Sequence, residues 1–213
     1  MGIIKVLGQA DVKFVPDVIR ITINVDKLYS KYQQAFEAGA DNTNIIKDIL
    51  TNCNLDRDLA KTTRFAINKH SEYEKVDKYN SQYVFKGYKI KQTFEIDLEI
   101  SSPTLTPLLD AIGNSLKGVE IEIGFAVSNV EEARLKMIEV AVKDALKKAE
   151  VMASATNKQL GDIKSINYGV SKGEYYETGE CYEPTSTISS APMDITPAEL
   201  NGYTTVEVVI DLL

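Results

Sequence analysis

The sequence contains few of the side chains that most often catalyse reactions or bind metals. Its 213 residues include one His, two Cys and no Trp. His is the usual proton carrier near neutral pH, and His and Cys are the usual zinc ligands. We therefore predict no catalytic residue, no metal site and no bound cofactor. An enzyme would need a concave site with convergent titratable groups, which the sequence does not indicate.

The individual candidates for such chemistry have simpler explanations. His70 lies in a hydrophilic stretch at a strand end, where we expect a solvated loop residue. Cys181 follows Cys53 by 128 positions with no CxxC partner, which favours two reduced thiols over a disulfide or a zinc site. A surface charge ladder accounts for a set of charged residues on one predicted strand: Glu95, Asp97 and Glu99 with Lys89 and Lys91.

A long apolar run and an excess of positive charge are also missing. No stretch of about 18 apolar residues occurs, so no segment is expected to span a bilayer. The first residues lack the charged start and apolar core of a signal peptide, so we expect a cytoplasmic location. Lys and Arg number 24 and Asp and Glu 31, giving a net charge of −7. Nucleic acids and anionic membrane surfaces are therefore unfavourable partners.

Period-2 alternation of apolar residues is the clearest pattern that the sequence does contain, and it predicts strands with one buried face. Four strands alternate cleanly and three are weaker but rich in β-branched residues. The four are Ile19–Val25, Tyr88–Ile100, Val119–Val127 and Thr204–Leu212, and the three are Ile3–Val12, Leu59–Asn68 and Ile163–Val170.

Three helices are predicted between these strands. The first follows Ser30, which forms a capping box with Gln33. The second starts near residues 102–106 and stops before Gly118. A second capping box, Ser128 with Glu131, starts the third, which continues to about residue 158. The apolar stripe of the first helix comprises Tyr32, Phe36, Ala40, Thr43, Ile46 and Leu50.

The third helix carries a ridge of small residues at intervals of four. Such a face is narrow and allows a neighbouring backbone to approach closely. It either packs on the sheet of its own chain or forms a contact between subunits, in which case Ala141, Ala145 and Ala149 are the candidate contact residues. The ridge comprises Ala133, Met137, Ala141, Ala145, Ala149 and Ala153.

The order of these elements predicts an α+β fold made of two-layer α/β sandwiches. Residues 17–128 read β-α-β-β-α-β, the order of a ferredoxin-like lobe. Residues 1–16 and 129–213 together read β-α-β-β. We therefore predict a ferredoxin-like lobe nested in a discontinuous β-α-β-β lobe.

A long acidic segment interrupts the pattern between residues 171 and 202. Lys172 is its single cation against six acidic residues, a net charge of −5. Loops of more than about 12–15 residues are uncommon in compact domains and are often functional. We expect this segment to pack on another subunit through its large side chains, namely Tyr175, Tyr176, Tyr182 and Ile188.

Four motifs, in order along nearly the whole chain, resemble the SIMPL-domain family. They are Val6–Gly8 followed by Val15–Asp17, then Gly87–Tyr88, then Asp144–Ala153 with Leu160–Ile163, and finally Ile195–Leu200. The resemblance implies a two-lobed α/β fold and homo-oligomers, ring-like in some members. It implies no accepted catalytic residues. Bacterial relatives often act in the periplasm or envelope in protection against oxidative stress, whereas animal relatives act in kinase-linked signalling.

Together these features favour a non-enzymatic protein that self-assembles into a homo-oligomer with an interaction or stress-protection role. The alternative from a different class is a small-ligand-binding or stress-sensing module, with a pocket between lobes or between subunits.

Overall fold

The computed structural model describes residues 2–75, 81–168 and 197–213, which form three α-helices and seven strands in two antiparallel sheets. The predicted α+β fold class is confirmed. No helix within these ranges is both long and apolar enough to cross a membrane. The elements in chain order are β1 Gly2–Phe14, β2 Val18–Tyr29, α1 Tyr32–Asn52, β3 Lys61–Lys75, β4 Ser81–Glu99, α2 Leu105–Ser115, β5 Val119–Ala126, α3 Val130–Ala155, β6 Leu160–Tyr168 and β7 Leu200–Leu212.

The chain divides into two compact units. Among the described residues, unit 1 comprises 2–17, 126–168 and 197–213, and unit 2 comprises 18–75 and 81–125. Unit 1 holds a three-stranded sheet in the order β1-β7-β6 with α3, and unit 2 holds a four-stranded sheet in the order β3-β4-β2-β5 with α1 and α2.

The core of unit 2 lies between its sheet and its two helices. Alternate residues of β2 and β4 point inward because successive side chains of a strand face opposite sides. Ile21 and Ile96, which pair across these strands, are fully buried, as are Leu108 and Ile112 of α2. Helix α2 begins and ends within the predicted limits, since it spans Leu105–Ser115. The alternation seen in the sequence therefore forms the core-facing side of this sheet.

Helix α1 differs from the prediction in its start and in its buried face. Its N-cap is Lys31 with no side-chain cap, and the Ser30 hydroxyl instead bonds Oε1 of Gln34 at 2.9 Å, so the predicted Ser30–Gln33 box is wrong. Tyr32 and Phe36 are about half exposed. Compared with the predicted stripe, the buried face begins with smaller residues because the helix packs closely on the sheet. It comprises Ala35, Gly39, Asn42, Ile46, Ile49 and Leu50.

A buried glutamine ties α1 to β4 in this core. Gln92 is 1% exposed, and its Nε2 donates to the Gly39 carbonyl at 3.2 Å and to the Thr43 hydroxyl at 3.0 Å. Asn42 donates to the Gln92 side-chain oxygen at 3.5 Å. A buried amide without partners would destabilise the fold, so these bonds explain how a polar residue occupies an inward position of β4.

Unit 1 packs α3 on one face of its sheet. Strand β1 pairs with β7 along its whole length, from Gly2 opposite Leu212 to Phe14 opposite Leu200. The buried helix residues follow the predicted four-residue interval, and the sheet contributes Ile4, Val6 and Ala10 from β1 with Val206, Val208 and Ile210 from β7. The alanine ridge therefore packs on the sheet of its own chain, which is the first of the two predicted alternatives.

The two ends of α3 also depart from the sequence prediction. The cap is Asn129, whose side-chain oxygen accepts the Glu132 N–H at 3.1 Å, so the predicted Ser128–Glu131 box is wrong by one residue. Ser128 is unavailable as a cap because its N–H and its hydroxyl both donate to the Asp17 carboxylate. The helix ends at Ala155 because Asn157 has a left-handed φ of 51°, a conformation that stops a helix.

Helix α3 also supplies hydrogen-bond partners to the main chain of the edge strand β1. The Asp144 carboxylate accepts the Gln9 N–H at 2.8 Å, and the Lys148 ammonium donates to the Leu7 carbonyl at 3.3 Å. Asp144 and Lys148 form an ion pair at 2.6 Å. These bonds to Lys148 and Gln9 lower the pKa of Asp144. The edge strand is thereby held to the helix by polar contacts as well as by packing.

The contact between α3 and β1 leaves no room for a side chain at Gly8. A Cβ atom there would lie 2.0 Å from the Ala141 carbonyl oxygen and 2.7 Å from the Ala145 Cβ. We expect Gly8→Ala to destabilise the protein by about 1–3 kcal/mol, the usual cost of overpacking. Chemical denaturation followed by circular dichroism measures the change.

Gly113 in α2 is the matched control for this substitution, since a Cβ atom there meets nothing within 4 Å. Gly113→Ala is expected to leave stability unchanged or to raise it by about 0.5–1 kcal/mol, because alanine favours the helix more than glycine does. Equal effects of the two substitutions would contradict the close approach of α3 to β1.

Asp17 joins two distant parts of unit 1. Its N–H donates to the Ala126 carbonyl at 3.1 Å. Its carboxylate accepts the Ser128 N–H at 2.7 Å and the Ser128 hydroxyl at 2.6 Å. These bonds, first the hydroxyl and then the backbone one, lower the pKa of Asp17. Residues 17 and 126–128, where the chain passes from one unit to the other, are thus fastened side by side.

The lowered pKa of Asp17 predicts a pH-dependent contribution to stability. The contribution is present above the pKa of an unfolded aspartate, about 3.9, and is lost as pH falls through the lower folded value. Asp17→Asn should therefore be less stable than the wild type at neutral pH, and the difference should shrink in acid. Urea unfolding of both proteins across this pH range tests it, and a constant difference would contradict the role of the carboxylate.

Candidate interaction surface

Strands β3 and β4 continue as a two-stranded hairpin beyond the rest of their sheet. Strand β2 ends at Tyr29, opposite Tyr88, whereas β3 and β4 remain paired until Lys75 lies opposite Ser81. We call residues 69–75 and 81–88 the hairpin arm. Seven residues of strand extend about 23 Å, so the arm reaches well beyond the third strand.

A bulge at the base of the arm requires a glycine. The pairing shifts between His70 and Ser71, and Gly87, opposite His70, has a φ of +143°. A Cβ atom at Gly87 would lie 2.2 Å from the Tyr29 carbonyl oxygen. Bulges increase the local twist of a strand, so this glycine sets the direction in which the arm leaves the sheet.

The position of His70 corrects a prediction. We expected a solvated loop residue, but His70 is part of β3, and its Nε2 lies 3.2 Å from the Glu72 carboxylate. The prediction ended β3 at Asn68 because the following residues do not alternate in hydropathy. Pairing with β4 holds the strand instead, and it does not require a buried face.

Aromatic side chains cover one face of the arm and continue onto α1. Tyr73 and Tyr83 face each other across the strands with ring centroids 5.1 Å apart, and Phe85 lies 5.4 Å from Tyr88. Tyr83 is 76% exposed and Tyr73 65%. We call the set the aromatic face, which comprises Tyr32, Phe36, Phe65, Tyr73, Tyr83, Phe85 and Tyr88.

The arm residues Tyr73, Tyr83 and Phe85 are exposed because helix α1 starts too late to cover them. Its first residue, Tyr32, meets Tyr88 at 5.7 Å, and one turn later Phe36 meets Phe65 at 6.4 Å. Inward from this point, Ile90 and Phe94 of β4 are buried. The aromatic face is therefore the core-facing side of β3 and β4, continued past the end of the helix.

The two faces of the arm differ in charge. Lys69 and Lys75 alternate with Tyr73 along β3 and therefore share the aromatic face. Glu72 and Glu74 lie on the opposite face, where Glu74 bonds Lys86. That bond and nearby carboxylates raise the pKa of Lys86. The aromatic face of the arm thus carries two cations and no carboxylate.

The carboxylates predicted as a charge ladder lie on the other face of the unit 2 sheet. Arg20 makes a paired contact with Asp97 at 2.8 and 3.0 Å and lies 3.8 Å from Glu95. Lys89 pairs with Asp26 at 3.0 Å. In the described ranges, no group of three or more His, Cys, Asp or Glu residues is placed to hold a metal.

An open hollow of about 410 Å³ lies at one end of the unit 2 sheet. It combines apolar side chains with hydroxyl and carboxylate groups. Its lining comprises Leu55, Leu59, Asp97, Leu98, Glu99, Ser101, Ser102 and Pro103.

The predicted contact residues have two different outcomes. Ala141, Ala145 and Ala149 are fully buried against the sheet of unit 1, so they offer no surface to a second subunit. The other predicted contact residues, those of the acidic segment, lie outside the described residues, and so does Cys181. They are Tyr175, Tyr176, Tyr182 and Ile188.

Alternation in hydropathy does not reveal the aromatic face. The sequence nevertheless contains a period-2 pattern there. Tyr73 and Lys75 alternate with acidic residues. Tyr83 and Phe85 alternate with polar or aliphatic residues. Period-2 alternation of aromatic residues, rather than of hydropathy, predicts the outer parts of β3 and β4. Cys53, which the sequence predicts to be a reduced thiol, is a free cysteine that caps the C-terminus of α1 and packs on the unit 2 core.

The chain matches a protein-family model and is similar to a known protein. The family model described as SIMPL, protein of unknown function (DUF541), matches residues 4–210. The uncharacterized protein YggE of Edwardsiella ictaluri (strain 93-146) is 27% identical over 214 residues, which covers 96% of this chain and 84% of that protein. The resemblance predicted from the four sequence motifs is confirmed.

Proposed function

The chain belongs to the SIMPL family of proteins of unknown function, and on this premise we propose that it is a non-enzymatic protein that assembles into a homo-oligomer. Its role in the proposal is interaction with other proteins or protection against stress. The aromatic face is the observation that supports the proposal. No catalytic step is assigned to any residue.

Exposed aromatic residues at this density favour a protein contact. Single exposed apolar side chains are ordinary, but a contiguous set commonly marks an interaction site. Tyr and Phe contribute large contact areas with little loss of side-chain entropy, and they are enriched at interfaces. Four of the aromatic residues, Tyr73, Tyr83, Phe85 and Tyr88, lie together on the arm. Two strands without a third support little structure by themselves, so a partner would also stabilise the arm.

The solution mass tests the proposal. We expect light scattering after size exclusion to give a discrete multiple of the 23.6 kDa chain that does not change with protein concentration. Replacing Tyr73 and Tyr83 by Ser should lower that mass because both residues are largely exposed and therefore available for contact. Circular dichroism should show that the variant remains folded, since exposed side chains contribute little to stability.

Tyr203→Ser is the matched control for this variant. Tyr203 is 54% exposed and belongs to unit 1, away from the arm in the sequence and in the sheet pairing. Its replacement should leave the mass unchanged. A wild-type protein that is monomeric at micromolar concentrations would overturn the proposed assembly.

A small-ligand-binding module is the second candidate function, and the hollow beside Leu98 favours it. A ligand at 100 times its Kd should raise the free energy of unfolding by about 2.7 kcal/mol. A thermal-shift screen of metabolites detects this change. Ser101→Trp, which fills the hollow, should abolish the shift, whereas a shift that persists would place the ligand elsewhere.

The cytoplasmic location expected from the sequence stays part of the proposal. Cell fractionation with an antibody against the chain tests it, and recovery in an envelope fraction would contradict it.

A further inference from the structure

We propose that the aromatic face of the hairpin arm binds the acidic, tyrosine-containing stretch at residues 174–183 of a second copy of this chain. The inference rests on the proposed self-association and names its two contacting parts. It follows from the charge and aromatic content of both.

The arm presents cations beside its aromatic rings. Lys69 and Lys75 are exposed, flank Tyr73 on the aromatic face, and have no ion-pair partner among the described residues. The arm's two acidic residues of β3, Glu72 and Glu74, face the opposite side, where His70 and Lys86 are their neighbours. The cations of the aromatic face are therefore available to an incoming acidic group.

The surrounding strands strengthen this positive charge. Between residues 61 and 91 the sequence holds eight Lys and Arg residues against three acidic ones, a net charge of +5. The whole chain carries −7. The arm itself nets +1 and lies within this positive stretch of a negative protein. Such an arrangement guides association between oppositely charged surfaces.

The stretch at residues 174–183 has the complementary composition. Its ten residues include four Glu, at every third position from Glu174 to Glu183, and no cation. Tyr175, Tyr176 and Tyr182 lie between them. Tyrosine rings pair favourably with other aromatic rings and with lysine, and the glutamates match the lysines of the arm.

A second copy is the occupant that the charges favour. Each copy carries one arm and one acidic stretch, so the contact joins two different parts of two identical chains, either reciprocally in a closed dimer or head to tail. Nucleic acid also suits cations beside aromatic rings. However, the net charge of −7 opposes it.

A charge exchange between two full-length variants tests the inference. One variant carries Lys69→Glu and Lys75→Glu, and the other carries Glu174→Lys, Glu177→Lys, Glu180→Lys and Glu183→Lys. We expect each variant alone to be a 23.6 kDa monomer by light scattering. Their mixture should recover the wild-type mass because each altered surface then meets an altered segment of opposite charge. The association of the wild type should also weaken at high salt, which screens exposed charges.

The control keeps the same change of net charge at another site. Lys136 and Lys147 are exposed on α3 of unit 1, and replacing both by Glu should leave the mass unchanged. The unfolding midpoint of every variant, compared with the wild type, shows whether the chain still folds. Neutral variants, Lys69→Gln with Lys75→Gln, serve if the charge-reversed arm does not fold, and they should also lower the mass.

The outcomes separate this inference from the proposed function. A monomeric wild type overturns both. A wild-type oligomer that is unaffected by the Lys69 and Lys75 variants overturns this inference and leaves self-association through another surface. Failure of the mixture to associate also overturns it, because opposite charges on the two surfaces then do not restore the contact. A labelled single-stranded oligonucleotide that binds the wild type and not the Lys69→Glu, Lys75→Glu variant would assign the arm to nucleic acid instead.

Discussion

The pairing of β2 with β4 is the constraint on which unit 2 depends. It brings Val18 opposite Glu99 and Tyr29 opposite Tyr88, and it stops there because the chain turns into α1. Inward of this point, three adjacent strands and the two helices bury a continuous core. Outward of it, β4 has only β3 as a neighbour. The same strand therefore supplies buried isoleucines at one end and exposed aromatic residues at the other.

A different constraint governs unit 1, where the backbone of α3 lies against the backbone of β1. Gly8 and the alanines of the helix make the approach possible, because none of them has a side chain long enough to keep the two apart. Such closeness also brings Asp144 and Lys148 within hydrogen-bond distance of the edge of β1. Packing and polar contacts are thus consequences of the same small residues. An edge strand whose N–H and C=O groups have such partners is also a poorer template for unwanted strand pairing.

The distribution of charge connects the fold to the proposed self-association. A chain with a net charge of −7 repels its own copies at long range, so association needs a local reversal of sign. The hairpin arm is that reversal in the proposal, since one face combines exposed rings with two lysines that have no ion-pair partner in the described part of the chain. The aromatic contacts would contribute apolar area and the lysines would select an acidic partner. Neither contribution requires a catalytic group.

The sequence by itself determined the features that depend on neighbouring residues. Alternation predicted the core-facing side of β2 and β4, the four-residue interval of small residues predicted the buried face of α3, and the order of elements predicted the α+β fold. Tertiary structure decided what depends on distant partners. Ser128 is bonded to Asp17, 111 residues away, so the cap of α3 passes to Asn129. Gly39 faces the sheet in place of Phe36 because Phe65 and Ile90 lie too close for anything larger. The hairpin arm has no buried face, so hydropathy could not reveal it; only its pairing, set by the long β4 strand, holds it in place.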